Sequence, residues 1–457
     1  MLLYDVCILG AGLSGLSCAR KILHQRPLSS IVVLEARDRV GGRTLSVPAG
    51  ADSVDLGGQW VGPAQPKCLE LINELKLATV KQQWFDEEAP AAADANNFSS
   101  GSSVPLTEEE DRELKAIAGQ LEGWAESARD PASWASCPHA AEWDAVSVAQ
   151  FFDGAVKSAV VRRELDLLVR TVTASEPHDL SFFYFLFFLG VCGGLAGVGD
   201  GDGGAQSFKL PCGAQQLSLG MAEELQAQGV HVRLNTPVAA INCSGGGGTI
   251  TLASAGGEVL VEASCLVVAV SPPLWSTITW SPALSPAKQD VSVRMYMGSA
   301  VKTITVYKEC FWKPFTPQGQ LEELGPVANL FPTTVDGAPA LVGLVTAGAA
   351  KVFAALPEEE RRAQVLGQYQ KYFCSAKALD FTAFHSKDWI NETYSKGCYA
   401  ALMPPRLATC CGGAVRAPEG RVCFAGTELA ISWPGYFEGA LDAGYRAAGE
   451  VVALLHQ

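Results

Sequence analysis

Apolar residues cluster in short runs near the two ends of the chain and in its middle, and between them the spacing changes to that of amphipathic helices. Tyr4–Leu9 reads as a buried strand, the following glycine-rich turn opens a helix through about Leu23, and Ile31–Leu34 is a second strand: the start of a βαβ unit. Helical periodicity returns over Glu108–Ala128 and Ser147–Val172. Val230–Leu234 and Thr249–Leu252 alternate as strands, with a turn at Gly245–Gly248 before the second. Leu266–Val270 is a buried strand closed by Ser271-Pro272-Pro273, Ala300–Tyr307 alternates again, Arg421–Ala425 is a last buried strand and Gly435–Leu455 a last helix. Asp86–Val104, acidic, small and serine-rich, predicts a surface loop or short disordered stretch, and Gly193–Gly204 a Gly/Asp-rich loop. Strands at the beginning, middle and end predict one nucleotide-binding domain assembled from separate segments, with a second domain inserted between them.

Leu180–Gly199 has no charge and the length of a membrane span, but its second half is glycine-rich, so it predicts a buried helix lining a cavity. With 48% hydrophobic and 18% charged residues there is material for a large core. The net charge of −14 argues against nucleic-acid binding, which needs a basic face. None of the 14 cysteines forms C-x-x-C and there are only six histidines, so no metal site is expected. The start lacks a secretory signal and the end lacks a peroxisomal tripeptide, which predicts a cytoplasmic protein with reduced thiols. The vicinal Cys410–Cys411 pair reads as two structural thiols, and is the pair most open to oxidation.

Gly10, Gly12 and Gly15 form G-x-G-x-x-G, a weak signal alone among 46 glycines. Its context strengthens it: a strand precedes it, a helix starting at Ser14 and Gly15 follows, and Glu35 ends the next strand. Gly10 permits the tight turn, Gly12 lets the backbone approach a pyrophosphate, and Gly15 lets helix pack on strand. Glu35 can accept hydrogen bonds from ribose hydroxyls and would repel a 2′-phosphate, disfavouring NADP.

Two further stretches separate flavin from nicotinamide. Glu35-Ala36-Arg37-Asp38-Arg39-Val40-Gly41-Gly42-Arg43 and Asp55-Leu56-Gly57-Gly58-Gln59-Trp60-Val61-Gly62-Pro63 resemble the FAD-binding N-terminus of the flavin amine oxidase superfamily. Near the C-terminus stand Ser395-Lys396-Gly397-Cys398-Tyr399, Phe424-Ala425-Gly426-Thr427-Glu428 and Trp433-Pro434-Gly435-Tyr436-Phe437-Glu438-Gly439-Ala440. With Trp389 and Gly298-Ser299-Ala300-Val301-Lys302, they narrow the resemblance, over nearly the whole chain, to the monoamine oxidases. The resemblance implies an α/β (α+β overall) protein: a Rossmann-like FAD-binding domain over residues 1–83, 221–288 and 392–457, and an inserted substrate-binding domain over 84–220 and 289–391.

It implies FAD as cofactor, joined through a thioether to Cys398, and held by Gly10, Gly12, Ser14, Gly15, Glu35, Arg37, Gly42, Arg43, Gly57, Gly58, Gln59, Val238, Gly426, Thr427, Gly435, Tyr436 and Phe437. Trp389 is implied beside the isoalloxazine and Lys302 as holder of a water near flavin N5. Tyr399 and Tyr436 are implied as a pair flanking the substrate nitrogen, with Trp60, Cys192 and Gln216 lining the substrate site. Without the resemblance, Cys398 would read as a buried thiol and the tyrosines as core aromatics. The roles are physically coherent, because two aromatic faces orient an amine and a cation near a flavin stabilises developing negative charge.

The implied reaction is oxidative deamination of a primary amine, with O2 as acceptor, to aldehyde, ammonia and hydrogen peroxide. The implied partners are therefore a small amine and O2, with neither nucleic acid nor a membrane anchor, and a homodimer is compatible with the family. The chain stops before the hydrophobic tail of the membrane-bound animal members, which predicts a soluble protein. Trp60 replaces a tyrosine, Pro434 replaces a small polar residue, and Phe315–Ala350, expected to supply cavity wall, matches weakly. These departures leave polyamine, diamine or L-amino-acid substrates as alternatives, and a flavin-binding protein without catalysis as a rival of another class.

Overall fold

The computed structural model describes residues 3–85, 106–199, 203–245, 248–313 and 320–456. The predicted loop at Asp86–Val104 and part of the turn at Gly245–Gly248 lie outside these residues.

Segments far apart in sequence build one sheet. Leu3–Leu9 pairs in parallel with Ile31–Leu34 on one side and Val259–Val268 on the other. His231–Arg233 extends the first edge in parallel. On the far side of Val259–Val268, Ile250–Ala253 runs antiparallel beside its start and Val422–Phe424 parallel beside its end. Strands buried on both faces read as unbroken apolar runs, and the burial follows that rule. Val6, Ile8, Ile31, Val33, Cys265 and Val267 face a core shared with the helices Leu13–Gln25 and Phe437–Leu455. Cys7, Leu9, Val32, Leu34, Leu266 and Val268 face the opposite core. The two helices cross closely because Gly444 has no side chain: a Cβ there would lie 2.2 Å from Ser17 Oγ and 2.5 Å from Ser14 O.

A second, antiparallel sheet runs Asn329–Val335, Ala338–Thr346, Ala300–Tyr307, Phe381–Asp388. The pleat of Ala300–Tyr307 divides its side chains between two cores. Val301 and Tyr307 pack under the helix Glu358–Tyr372 with Val365 and Tyr369. Ile304 and Val306 face the other way with Phe331, Val342 and Leu344. Lys302 has the parity of this second face.

Phe182–Val191 forms a helix buried on every side except at Gly190, in line with the expectation for Leu180–Gly199. Among the described residues no helix is long and apolar enough to cross a membrane. Several boundaries differ from the pattern. Ser147–Val172 is two helices, Val148–Ala155 and Ala159–Thr173, because Ser158 turns to accept hydrogen bonds from Val160 N and Val161 N and caps the second. Gly193–Gly204 contains a short helix, Gly194–Val198. The last helix begins at Phe437 instead of Gly435, because Gly435 sits at φ +91° with its N–H on Thr427 Oγ1.

Candidate active site

The glycine motif makes a bare-backbone cradle. Gly10 adopts φ +108°, and a Cβ there would lie 2.9 Å from Ala269 O. A Cβ on Gly15 would lie 2.0 Å from Gly10 O, so only glycine lets this helix sit on the turn. The helix Leu13–Gln25 begins at Gly12 with no side-chain cap, leaving first-turn N–H groups for an anion. Opposite stands Gly42, whose Cα lies 4.0 Å from the position of a Cβ on Gly12. Arg39 shapes that opposite loop by donating to Val40 O, Thr44 O and Gly42 O. Glu35 is buried and accepts from Ala11 N at 2.9 Å and Arg37 N at 3.0 Å. Arg37 donates onward to Ser395 Oγ and Glu392 Oε1, tying the cradle to the loop that carries Cys398.

From this cradle a cavity of about 340 Å³ runs to the second sheet. Gly10, Gly12, Ser14, Glu35, Arg37, Gly42, Arg43, Gly57, Gly58, Gln59 and Val238 line it. Trp389, Cys398, Gly426, Thr427, Gly435 and Phe437 line it too, as do Trp60, Lys302, Tyr399 and Tyr436. Gly57 and Gly58 are needed for close approach, since a Cβ on Gly57 would lie 2.2 Å from Arg43 O and one on Gly58 2.6 Å from the Phe437 ring. Cys398 is held by Gly298, which accepts from Cys398 N at 3.0 Å and donates to Ala400 O at 3.0 Å. The Cys398–Tyr399 peptide is cis.

Lys302 is buried, and its ammonium donates to Gln59 Oε1 at 2.7 Å and Gly57 O at 3.0 Å. It lies 5.2 Å from the Trp60 ring centroid. Burial pulls its pKa down to about 8; Asp55 pulls it back up and Lys209 pushes it further down. Burial pushes the Cys398 thiol up to about 12, against the pull of the Arg43 and Lys302 charges. Arg43 is forked onto buried Glu428, with a 2.6 Å and a 3.2 Å bond, and also donates to Tyr399 O. It therefore fixes the Cys398–Tyr399 loop as well as lining the cavity. Trp389 donates its indole N–H to Leu56 O at 2.8 Å. The Tyr436 ring meets Trp433 edge-on at 5.0 Å and stacks on Phe188 at 6.3 Å.

Three expected residues are placed elsewhere. Gly15 acts under the cradle, as its packing role required. Gln216 starts the helix Gln216–Ala227 and is absent from the cavity wall. Its neighbour Gln215 points inward, but onto Val40 O and Ser46 N; besides Gln59, the glutamine that lines the cavity is Gln206. Cys192 is fully buried beside Gly197, where a Cβ would lie 2.0 Å from the Cys192 carbonyl oxygen, and also does not line the cavity. Tyr184, Phe188, Phe331, Leu344, Thr171, Thr173 and Leu402 complete the wall without having been anticipated individually. Tyr184 and Phe188, four apart on one helix, were within reach of the helical period. Phe331 and Leu344 lie in the weakly matching stretch, on strands whose partners are distant in sequence.

An uncapped helix terminus, an acid at the end of the next strand and an aromatic chamber holding a buried lysine together define a dinucleotide-dependent oxidoreductase. Residues 13–452 match the family described as flavin containing amine oxidoreductase. The chain is 35% identical to a flavin-containing amine oxidase of Oncorhynchus mykiss, over 98% of this chain and 86% of that one. It is 34% identical to a probable flavin-containing monoamine oxidase A of Dictyostelium discoideum, over 98% and 97%. Its fold is similar to that of cyclohexylamine oxidase from Brevibacterium oxydans, with a TM-score of 0.85, 30% identity and full coverage of both chains. It is also similar to putrescine oxidase bound to putrescine, with a TM-score of 0.84 and 27% identity over 99% of each chain. The chain belongs to the flavin-containing amine oxidoreductase family, and its chemistry is FAD-dependent amine oxidation.

Proposed function

We propose that this enzyme oxidises primary amines with a largely apolar carbon skeleton, using O2 and releasing aldehyde, ammonia and hydrogen peroxide. The observation that carries the reading is the composition of the cavity wall. Around Tyr399 and Tyr436 it is built from Trp60, Tyr184, Phe188, Phe331, Leu344 and Leu402, with Thr171 and Thr173. Glu35 is the one acidic residue among the described lining residues, and it belongs to the cradle. A diamine or polyamine would need an acid near the amine end to pair its distal cation. The two arginines of the wall, Arg37 and Arg43, are bonded to Glu392 and Glu428, which disfavours a carboxylate clamp for amino acids.

The residues present fit FAD: glycines whose Cβ atoms would collide, first-turn N–H groups for the pyrophosphate and Glu35 for ribose. When bound, FAD supplies the two-electron acceptor and its reoxidation by O2. The chain's own residues do the rest. Tyr399 and Tyr436 present ring faces that orient the neutral amine. Apolar walls disfavour the ammonium form and keep water from the carbon that loses hydrogen. Lys302 places a positive charge where negative charge develops as oxygen is reduced. Cys398 is the point of covalent attachment. The proposed division assigns 1–83, 221–288 and 392–457 to the FAD-binding domain, and 84–220 and 289–391 to the substrate-binding domain.

The test is peroxide release by the purified holoenzyme with benzylamine, tyramine and n-butylamine, beside putrescine, spermidine and L-amino acids. Turnover of the monoamines in preference to the rest is expected. Preference for diamines or amino acids would overturn the substrate class. For attachment, acid denaturation is expected to leave flavin on the native chain and to free it from Cys398→Ala; free flavin from the native chain would refute the thioether.

A further inference from the structure

The amine end of the cavity is walled by three segments, and one buried residue outside the cavity joins all of them, two through its side chain and the third through its backbone. Trp60 stands on a two-residue strand, Trp60–Val61, paired antiparallel with Phe208–Lys209, which pairs in turn with Val80–Lys81. Strands this short contribute few ladder bonds, so side chains must hold them in place. Gln82 follows the third strand and is buried. Its Oε1 accepts the Trp60 indole N–H at 2.8 Å. Its Nε2 donates to Pro332 O at 2.8 Å, next to Phe331, and to Gln83 O at 2.5 Å. Its backbone N–H donates to Ser207 O at 2.9 Å, next to Gln206. Trp60, Gln206 and Phe331 all line the cavity, while Gln82 does not. The rings of Trp60 and Phe331 meet at 4.8 Å, tilted by 55°, and Trp84 backs Phe331 at 6.3 Å.

We infer that Gln82 is a positioning residue for substrate selection: by fixing the Trp60 indole against Phe331 it sets the bulk of amine that the cavity accepts. The inference rests on the amine-oxidase reading above. The amide suits the task because it is at once the acceptor an indole N–H requires and a donor to a backbone carbonyl. An aliphatic residue such as leucine in its place satisfies neither partner. The indole can then turn away from Phe331, and the wall that met a substrate ring becomes adjustable. Lys302 also faces the Trp60 ring, but its bonds to Gly57 O and Gln59 Oε1 do not pass through Gln82. Selection among amines should therefore change more than turnover of the smallest one.

The experiment compares the native holoenzyme, Gln82→Leu, Trp60→Phe and the double variant. One readout is the ratio of kcat/KM for 1-naphthylmethylamine to that for n-butylamine. The second is the Kd of 2-phenylpropan-2-amine, which has no hydrogen on its α-carbon and so reports binding without oxidation. Gln82→Leu is expected to raise the kcat/KM ratio about 10-fold, the order of discrimination that a methylene-sized change in an apolar pocket gives, and to change the Kd. Kcat for n-butylamine should stay within about 3-fold of native, since the lysine and the tyrosine pair are untouched. Trp60→Phe is expected to move the ratio in the same direction, and the double variant to show strong non-additivity, because both changes break one interaction. A native ratio and Kd in Gln82→Leu, or effects that simply add, would overturn the inference. Should Gln82→Leu not fold, Gln82→Met reads the same comparison. Oxidation of no amine by the native protein would instead count against the proposed function itself.

Discussion

Lys302 carries the most exacting prediction, because one perturbation has opposite consequences for stability and for activity. Burial brings its pKa from 10.5 down to about 8. That difference corresponds to about 3 kcal/mol between its charged and neutral forms. The folded pKa is depressed, so between pH 8 and 10.5 the unfolded chain holds more protons than the folded one, and stability rises with pH across this window. Below pH 8 the lysine is charged in both states and the fold bears the full penalty. Lys302→Met removes this dependence but orphans the acceptors Gly57 O and Gln59 Oε1, at about 1–3 kcal/mol each. The variant should thus have near-native stability at pH 7 and lose ground as pH rises. Lys288, also pulled down to about 8 by burial, contributes equally to both proteins and cancels in the comparison. Activity moves the other way. The oxygen-consuming half of the cycle, followed by stopped-flow mixing with O2, should slow above pH 8 in the native enzyme as the cation is lost. In Lys302→Met it should be slower by about 10²-fold, the effect of removing one preorganised charge, and should lack that limb. Native oxygen kinetics in the variant, or a limb near pH 8 that survives the substitution, would refute the assigned role.

Asp55→Asn removes the buried charge that supports the Lys302 cation, so it should move the same limb to lower pH, whereas Lys209→Met should move it to higher pH; shifts in one common direction would contradict the assignment. Glu428→Gln leaves the Arg43 guanidinium without its buried counter-charge, and a loss of about 3 kcal/mol is expected in urea titration, reduced from the fully buried limit because Arg43 is partly exposed. Gly58→Ala forces a Cβ to 2.6 Å from the Phe437 ring and should lower flavin content per chain, read from the visible absorbance, while costing about 1–3 kcal/mol in thermal unfolding.

How far the sequence reveals this molecule depends on the range over which each feature is specified. The cradle is local: turn, helix start and acid lie within Gly10–Glu35, and each glycine has a steric reason that holds whatever the rest of the chain does. The parallel core was legible because strands buried on both faces must be unbroken apolar runs, as at Ile31–Leu34. Lys302, Cys398 and Tyr436 could be singled out only through motif resemblance. Their meeting in one cavity depends on the pairing of Ala300–Tyr307 with Ala338–Thr346 and on Gly298 gripping the Cys398 loop. The amine end was the least legible, and for the same reason. Phe331 and Leu344 face inward because Leu344 sits opposite Lys302 in one ladder and Phe331 opposite Val342 in the next. Nothing in the spacing of either residue carries that register. The misplaced glutamine has the same origin: Gln216 stood at a recognisable helix start, while Gln206 reaches the cavity from an irregular loop held by Gln82. The chemistry of this enzyme is thus written in local motifs, and its choice of substrate in non-local register. A variant library confined to Gln82, Gln206, Phe331 and Leu344 should therefore shift which amines are oxidised while leaving the cradle and Lys302 intact.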